Sequence, residues 1–372
     1  MKAMEILRGI AADPHAYARK WKSSGGGRVV GYFCTYTPDE LIRAAGCLPF
    51  RIFGSGGNMT LADAHLQSYS CSLVRGGLEE ALSGRLDFLD ATVFPHTCDS
   101  IQRLSDIWRL SACVPLHFDV VLPVKLNTAS ARKYMSVVFG KFRADLEGAM
   151  GTGIDAGKIS EEIRKSNRMK GILAGIYEAR SADPLSISGG DVYSLIKSSM
   201  VMDRDEFIAL AGEVLSGLGS GGSAESGSLK RIVLAGGICS HPDVYSILER
   251  SGAHVVWDEL CTGTRYFEGG ISEQGDPVES LAARYMDRIV CPAKHSDIYA
   301  RGKNIVRIAR ERKADGVIFI LLKFCDPHAF DYPYMKESLD AVGVPSMLLE
   351  IEEKLPPEGQ LLTRLETFVS TL

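Results

Sequence analysis

The stretch Gly316–Phe324 constrains the chain more than any other. It is apolar apart from Lys323, follows Asp315 and runs into Cys325-Asp-Pro-His-Ala-Phe-Asp-Tyr-Pro333. A continuous apolar run bounded by turn residues predicts a central strand buried on both faces of a parallel sheet. Cys325 then stands at the carboxyl end of that strand, and Pro333–Val342 predicts a short amphipathic helix with proline in its first turn and Gly343 past its end. Open α/β sheets bind ligands outside the carboxyl ends of their strands, which makes Cys325 a candidate ligand or nucleophile. The alternative is a small apolar filler of the core.

The same alternation recurs along the chain. Ala3–Trp21 reads as a helix ended by the Ser/Gly turn at 23–27. Strands are predicted at Arg28–Phe33, Leu48–Phe53, Asp90–Phe94 and Leu116–Leu122, with helices at Asp39–Ala45 and Ile101–Trp108. From Ser130 to about Leu215 the pattern turns helical, with Ile159, Ile163, Met169, Leu173 and Ile176 at three-to-four spacing. Residues 216–228 are too polar and glycine-rich to pack and read as a flexible loop. Strands then resume at Arg231–Ala235, Ala253–Trp257, Gly316–Phe324 and Ser346–Glu350. A chain of 372 residues exceeds one small core. The expectation is an α/β protein with two Rossmann-like parallel-sheet domains, 1–129 and 229–372, an intervening helical segment at 130–228, and a site in the cleft between the sheets.

Charge and cysteine usage narrow the function. A net charge of −4 makes no electrostatic case for nucleic acid. No apolar run reaches membrane-spanning length and the N-terminus lacks a signal-peptide core, so a cytoplasmic protein is expected. There thiols stay reduced, and the nine cysteines become a pool for metal or catalysis. No CxxC pair occurs, which argues against a zinc ribbon or a thioredoxin site. A metal site must therefore be assembled from distant segments.

Three thiols have the right placement. Cys98 lies between a predicted strand and a helix, Cys325 has the same position in the other sheet, and Cys71 opens the helix Ser72–Ala81. Helix N-termini favour thiolate. Three thiolates without a histidine-rich partner motif suit iron–sulfur chemistry better than calcium or magnesium, and leave a fourth iron position open; three unrelated buried cysteines are the alternative.

The segments Gly31–Gly46, Ser70–Ser72, Phe94–Ser100, Asp258–Phe267 and Lys323–Pro333 resemble the 2-hydroxyacyl-CoA dehydratase and benzoyl-CoA reductase subunit family, over nearly the whole chain. The resemblance implies two Rossmann-like domains, a heterodimer with a homologous second subunit, and a four-iron four-sulfur cluster held by three cysteines, here Cys71, Cys98 and Cys325. It implies an acyl-CoA substrate and a separate ATP-dependent activator, in keeping with the absence of a GxxxxGK[ST] loop. The implied reaction is a lyase reaction, loss of water from a 2-hydroxyacyl-CoA through a ketyl radical. The alternatives are ATP-dependent ring reduction of benzoyl-CoA and a non-catalytic relay subunit. Some relatives carry a double-cubane cluster on adjacent cysteines, but no Cys-Cys pair is present. His96 and His328, each within three residues of a proposed ligand, are candidates for moving protons or bonding cluster sulfur, with capping or surface roles as the alternative. Cys34 is expected to be structural or to line the cleft, Cys261 has no ligand spacing, and Cys113, Cys239 and Cys291 are expected to lie outside the site. Gly236-Gly237 reads as ordinary turn chemistry, with approach to a CoA phosphate as the sharper reading.

Overall fold

The computed structural model describes residues 2–54, 59–218, 229–241, 243–288, 291–352 and 354–372. Its first part comprises α1 (Lys2–Ala12), α2 (Pro14–Trp21), β1 (Val29–Tyr32), α3 (Asp39–Ala44), β2 (Leu48–Arg51), α4 (Ser72–Leu82), β3 (Ala91–Pro95), α5 (Asp99–Ser111) and β4 (Leu116–Val120). Four helices follow: α6 (Ala129–Met150), α7 (Ala156–Ala182), α8 (Gly189–Ser199) and α9 (Arg204–Gly217). The last part runs through β5 (Lys230–Gly236), α10 (Asp243–Arg250), β6 (Ala253–Glu259), α11 (Thr264–Phe267), α12 (Pro277–Asp287), α13 (Ala300–Glu311), β7 (Gly316–Leu322), α14 (Asp326–Asp340), β8 (Ser346–Ile351) and α15 (Glu358–Ser370).

Every predicted strand forms. Two helices differ from expectation, both through proline. The single helix expected over Ala3–Trp21 is broken at Pro14, which lacks an N–H and clashes with the preceding turn; the Asp13 side chain restarts it by accepting from the Ala16 N–H at 2.9 Å. The helix expected from Pro333 begins instead directly after Cys325, with Pro327 in its first turn, where no N–H is needed, and Pro333 inside it. Of the glycine-rich segments, α9 extends to Gly217, while 219–228 and 55–57 lie outside the described residues.

Both sheets are parallel throughout and share one topology, β2-β1-β3-β4 and β6-β5-β7-β8. The first strand of each lies inside, the second on one flank and the next two on the other. The connections therefore diverge between β1 and β3 and between β5 and β7, the switch points where such sheets open a crevice. All seven residues of β7 are buried. Ile318 and Ile320 enter one core, which joins both sheets through α1, α4, α5 and α7 to α9, while Val317 and Phe319 face α13 and α14. The outer face of the first sheet packs on α6 and on α12, a helix from the last third of the chain. Among the described residues no helix is long and apolar enough to cross a membrane.

A buried ion network ties these layers together. Asp39 on α3 accepts from Arg204 of α9 at 2.6 Å and from the Tyr266 hydroxyl of α11 at 3.4 Å. Its neighbour Glu40 accepts from Ser166 of α7 at 2.8 Å and faces Lys170 at 3.8 Å. Arg284 of α12 donates to the Tyr266 carbonyl at 2.6 Å, and Tyr285 donates to the Thr37 carbonyl at 2.8 Å. Burial alone would raise the Glu40 pKa, but Lys170, Arg284 and Arg204 outweigh it and bring it from 4.5 to about 2.

Removing one partner strands the other in the interior, so Arg204→Met should cost about 3–5 kcal/mol in urea unfolding. Arg132→Ala, which breaks an exposed pair with Asp287, should cost less than about 1 kcal/mol. Because the folded Glu40 pKa is depressed, its stabilisation is present above pH 4.5 and is lost as pH falls towards 2. Glu40→Gln should flatten that part of the stability–pH curve.

Candidate functional site

Cys71, Cys98 and Cys325 are the residues immediately before α4, α5 and α14. Cys98 and Cys325 hold equivalent positions in the two sheets, each in the turn after the strand beyond a switch point, β3 in one and β7 in the other. A parallel strand delivers its chain to the crevice side, and the following helix must start there, so the N-capping residue faces the crevice by construction. Cys71 comes instead from the connection between β2 and α4.

Burial is the largest influence on each thiol and pushes its pKa up. Cys98 rises to about 12, with the nearby Cys71 sulfur next in importance. Cys325 is raised well above its ordinary value, first by burial and then by Cys71 and Cys98. The three sulfurs are thus close enough to resist one another's ionisation. None makes a close capping hydrogen bond, but the N–H groups three residues on, of Val74, Ile101 and His328, oppose the rise. Unoccupied by a cation, such thiols stay protonated and are poor nucleophiles.

Cys291 joins this group, contrary to its expected place outside the site. It lies with His96, Cys98, Lys294, Asp326 and Phe330 on the wall of a cavity of about 680 Å³, and its N–H reaches the Tyr36 hydroxyl at 3.4 Å. Burial raises its pKa to about 11, helped by Cys261 and Cys34. Cys34, in the turn after β1, also acts on Cys98. Cys239 is fully buried and Cys113 exposed. Sequence pattern does not single out Cys291, because it sits in an aperiodic loop after α12 where no strand or helix signal marks its direction.

The two histidines part company. His96 lines the cavity, and its Nε2 meets the Asp119 carboxylate at 2.9 Å. Burial would raise Asp119, but hydrogen bonds from His117, Ser105 and His96 together hold it well below the usual carboxylate range. His328 is buried in the first turn of α14, and desolvation, with Arg265 and Arg301 adding repulsion, drives its pKa well down, so it stays neutral. Gly236 is needed by the fold: its φ is +130°, and a side chain there would strike the Ile320 carbonyl. The Gly236 carbonyl accepts from Arg265 and the Gly237 N–H donates to Ile320, leaving ordinary turn chemistry.

The donor set suits some metals and not others. Among the described residues no three His, Cys, Asp or Glu side chains converge on a single-ion site, where each sulfur would lie about 2.3 Å from a zinc. An iron–sulfur cluster spreads its cysteines over different irons, and soft thiolates whose N–H environment favours negative charge fit that requirement. Cys71, Cys98 and Cys325 are the residues that could hold it.

Residues 34–372 match the family described as 2-hydroxyglutaryl-CoA dehydratase, D-component. The chain is 26% identical over 371 residues to the (R)-phenyllactyl-CoA dehydratase beta subunit of Clostridium sporogenes, covering 100% of this chain and 99% of that one. It is 29% identical to a subunit of the benzoyl-CoA reductase of Thauera aromatica, over 95% of this chain and 94% of the relative. Identity to the (R)-2-hydroxyglutaryl-CoA dehydratase beta subunit of Acidaminococcus fermentans is 23%, over 99% and 98%. With helix-capping thiols at equivalent ends of two parallel sheets and a match over nearly its whole length, the chain belongs to the 2-hydroxyglutaryl-CoA dehydratase D-component family.

Proposed function

We propose that this chain is the iron–sulfur subunit of a 2-hydroxyacyl-CoA dehydratase, a lyase, with Cys71, Cys98 and Cys325 as ligands of a four-iron four-sulfur cluster. The observation that carries the reading is that three thiols standing at helix starts in distant segments meet in one core, Cys71 acting on Cys98 and both acting on Cys325. Cys71, Cys98 and Cys325 would hold the cluster, and the chemistry it would supply when bound is one-electron transfer at low potential, the kind that reaches a thioester carbonyl. The chain's own residues hold Cys71 buried and Cys98 and Cys325 partly shielded from water, and the helix N-termini favour their thiolate form. His96, oriented by Asp119 on the cavity wall, is positioned to exchange a proton with a bound molecule, whereas the neutral, buried His328 supports the start of α14.

Several relatives are named as subunits, which supports a homologous second subunit, and a separate activator would supply the electron with ATP hydrolysis. A cytoplasmic location belongs to this reading, since a reducing compartment suits nine free cysteines. The 29% identity to a benzoyl-CoA reductase subunit, beside 26% and 23% to dehydratase subunits, favours ring reduction as the second reading.

Anaerobically reconstituted protein should be brown and carry about four irons per chain; protein that stays colourless and iron-free overturns the reading. Cys→Ser at 71, 98 or 325 should remove most of that iron while leaving the far-ultraviolet circular dichroism unchanged, and Cys113→Ser should retain it. Cys34→Ser and Cys291→Ser test for a wider donor set, and full iron in both confines the ligands to three. With partner and activator added, conversion of a 2-hydroxyacyl-CoA to the enoyl-CoA identifies a dehydratase, and consumption of benzoyl-CoA alone identifies the reductase.

A further inference from the structure

A second cavity, of about 270 Å³, lies between the end of β2, the start of α4 and α8. Its wall includes Phe50, Arg51, Phe53, Ser72, Tyr193 and Lys197. None of the thiols is on it.

Arg51 stands out on this wall. It is 1% exposed, and its Nε and Nη1 have no hydrogen-bond partner. Its guanidinium lies over the face of the Tyr32 ring, 5.6 Å from the ring centre. Lys197 stands nearby, with Nζ 5.4 Å from the Phe53 ring centre and 5.8 Å from that of Tyr193. No ion pair joins either cation to a carboxylate among the described residues. Glu80, the one carboxylate on this wall among the described residues, already faces His15 at 3.4 Å and Arg85 at 3.6 Å. A buried guanidinium without an acceptor is costly, and on the wall of a cavity a bound anion can complete it.

We infer that this cavity is a binding site for a phosphoryl group. The Arg51 guanidinium offers an oxyanion a charge-assisted N–H donor. Lys197 and Ser72, at the N-terminus of the eleven-residue helix α4, approach from other directions, which suits a tetrahedral dianion better than a flat carboxylate. Phe50, Phe53 and Tyr193 provide apolar walls for whatever carries the group. The volume admits free phosphate or the phosphorylated end of a larger molecule and excludes a whole nucleotide carrier. The site does not depend on whether the thiols hold a cluster.

The test is the thermal midpoint of the full-length protein in millimolar inorganic phosphate against chloride of matched ionic strength. The wild type should gain several degrees in phosphate. Arg51→Met should raise the phosphate-free midpoint, by removing an unpaired buried charge, and abolish the gain. Lys197→Met should weaken phosphate binding roughly tenfold. Coenzyme A acting at lower concentration than phosphate, with dephospho-coenzyme A inert, identifies a carrier's terminal phosphoryl; equal action of phosphate and coenzyme A identifies free phosphate. No gain over chloride in the wild type overturns the inference, as does an Arg51→Met protein that keeps the gain. Should Arg51→Met not fold, phosphorus NMR titration of the wild type and Lys197→Met decides, and unchanged line widths in both overturn it.

Discussion

The pairing of Asp39 with Arg204 at 2.6 Å, inside a core that excludes water, is the contact on which the assembly of this molecule depends. Asp39 begins α3, the helix after the first strand; Arg204 begins α9 in the helical block; Tyr266, which also donates to Asp39, lies beyond the second sheet's β6. One carboxylate thus fixes three parts of the chain. A buried ion pair adds little net stability over an apolar replacement, but once charges are buried, any other arrangement leaves one of them alone at a cost of several kcal/mol. Its effect is geometric: it ties α3, after the first sheet's β1, to α9 and to α11, after the second sheet's β6.

At the thiols two effects oppose each other, and their sizes decide the outcome. A helix terminus stabilises a nearby charge by about 0.3–1 kcal/mol, rising to about 2 kcal/mol in favourable partly buried sites. Burial can move a pKa by roughly 3–5 units, and each unit is about 1.4 kcal/mol. Burial therefore wins, as the upward shift of Cys98 to about 12 reflects. On the proposed reading these cysteines are inert as free thiols and become thiolates on cluster binding, where the helix termini reinforce the bound state.

Much of this is legible from local pattern. The run from Gly316 to Phe324 announces a strand buried on both faces, and β7 is buried at all seven positions. Alternating strand and helix signals imply parallel sheets, and hence that Cys98 and Cys325 stand at carboxyl ends. The two helices that depart from expectation do so for a local reason as well: Pro14 lies in an otherwise helical pattern, and Asp326-Pro327 serves a helix start as readily as a turn. Cys291 and Arg51 are not legible. The first lies in an aperiodic loop and the second ends an ordinary strand, and only their neighbours across space distinguish them.

By itself the sequence determined the element types, the parallel class of both sheets and that Cys71 and Cys98 precede helices while Cys325 ends a strand, because these follow from periodicity, chirality and turn chemistry within short windows. Tertiary structure decided which thiols meet, that Cys291 joins them, that His96 is tethered by Asp119 while His328 is held neutral, and that Arg51 is buried without an acceptor. Those outcomes depend on desolvation and on charges brought together across the fold. Both quantities are set by packing among residues far apart in the chain.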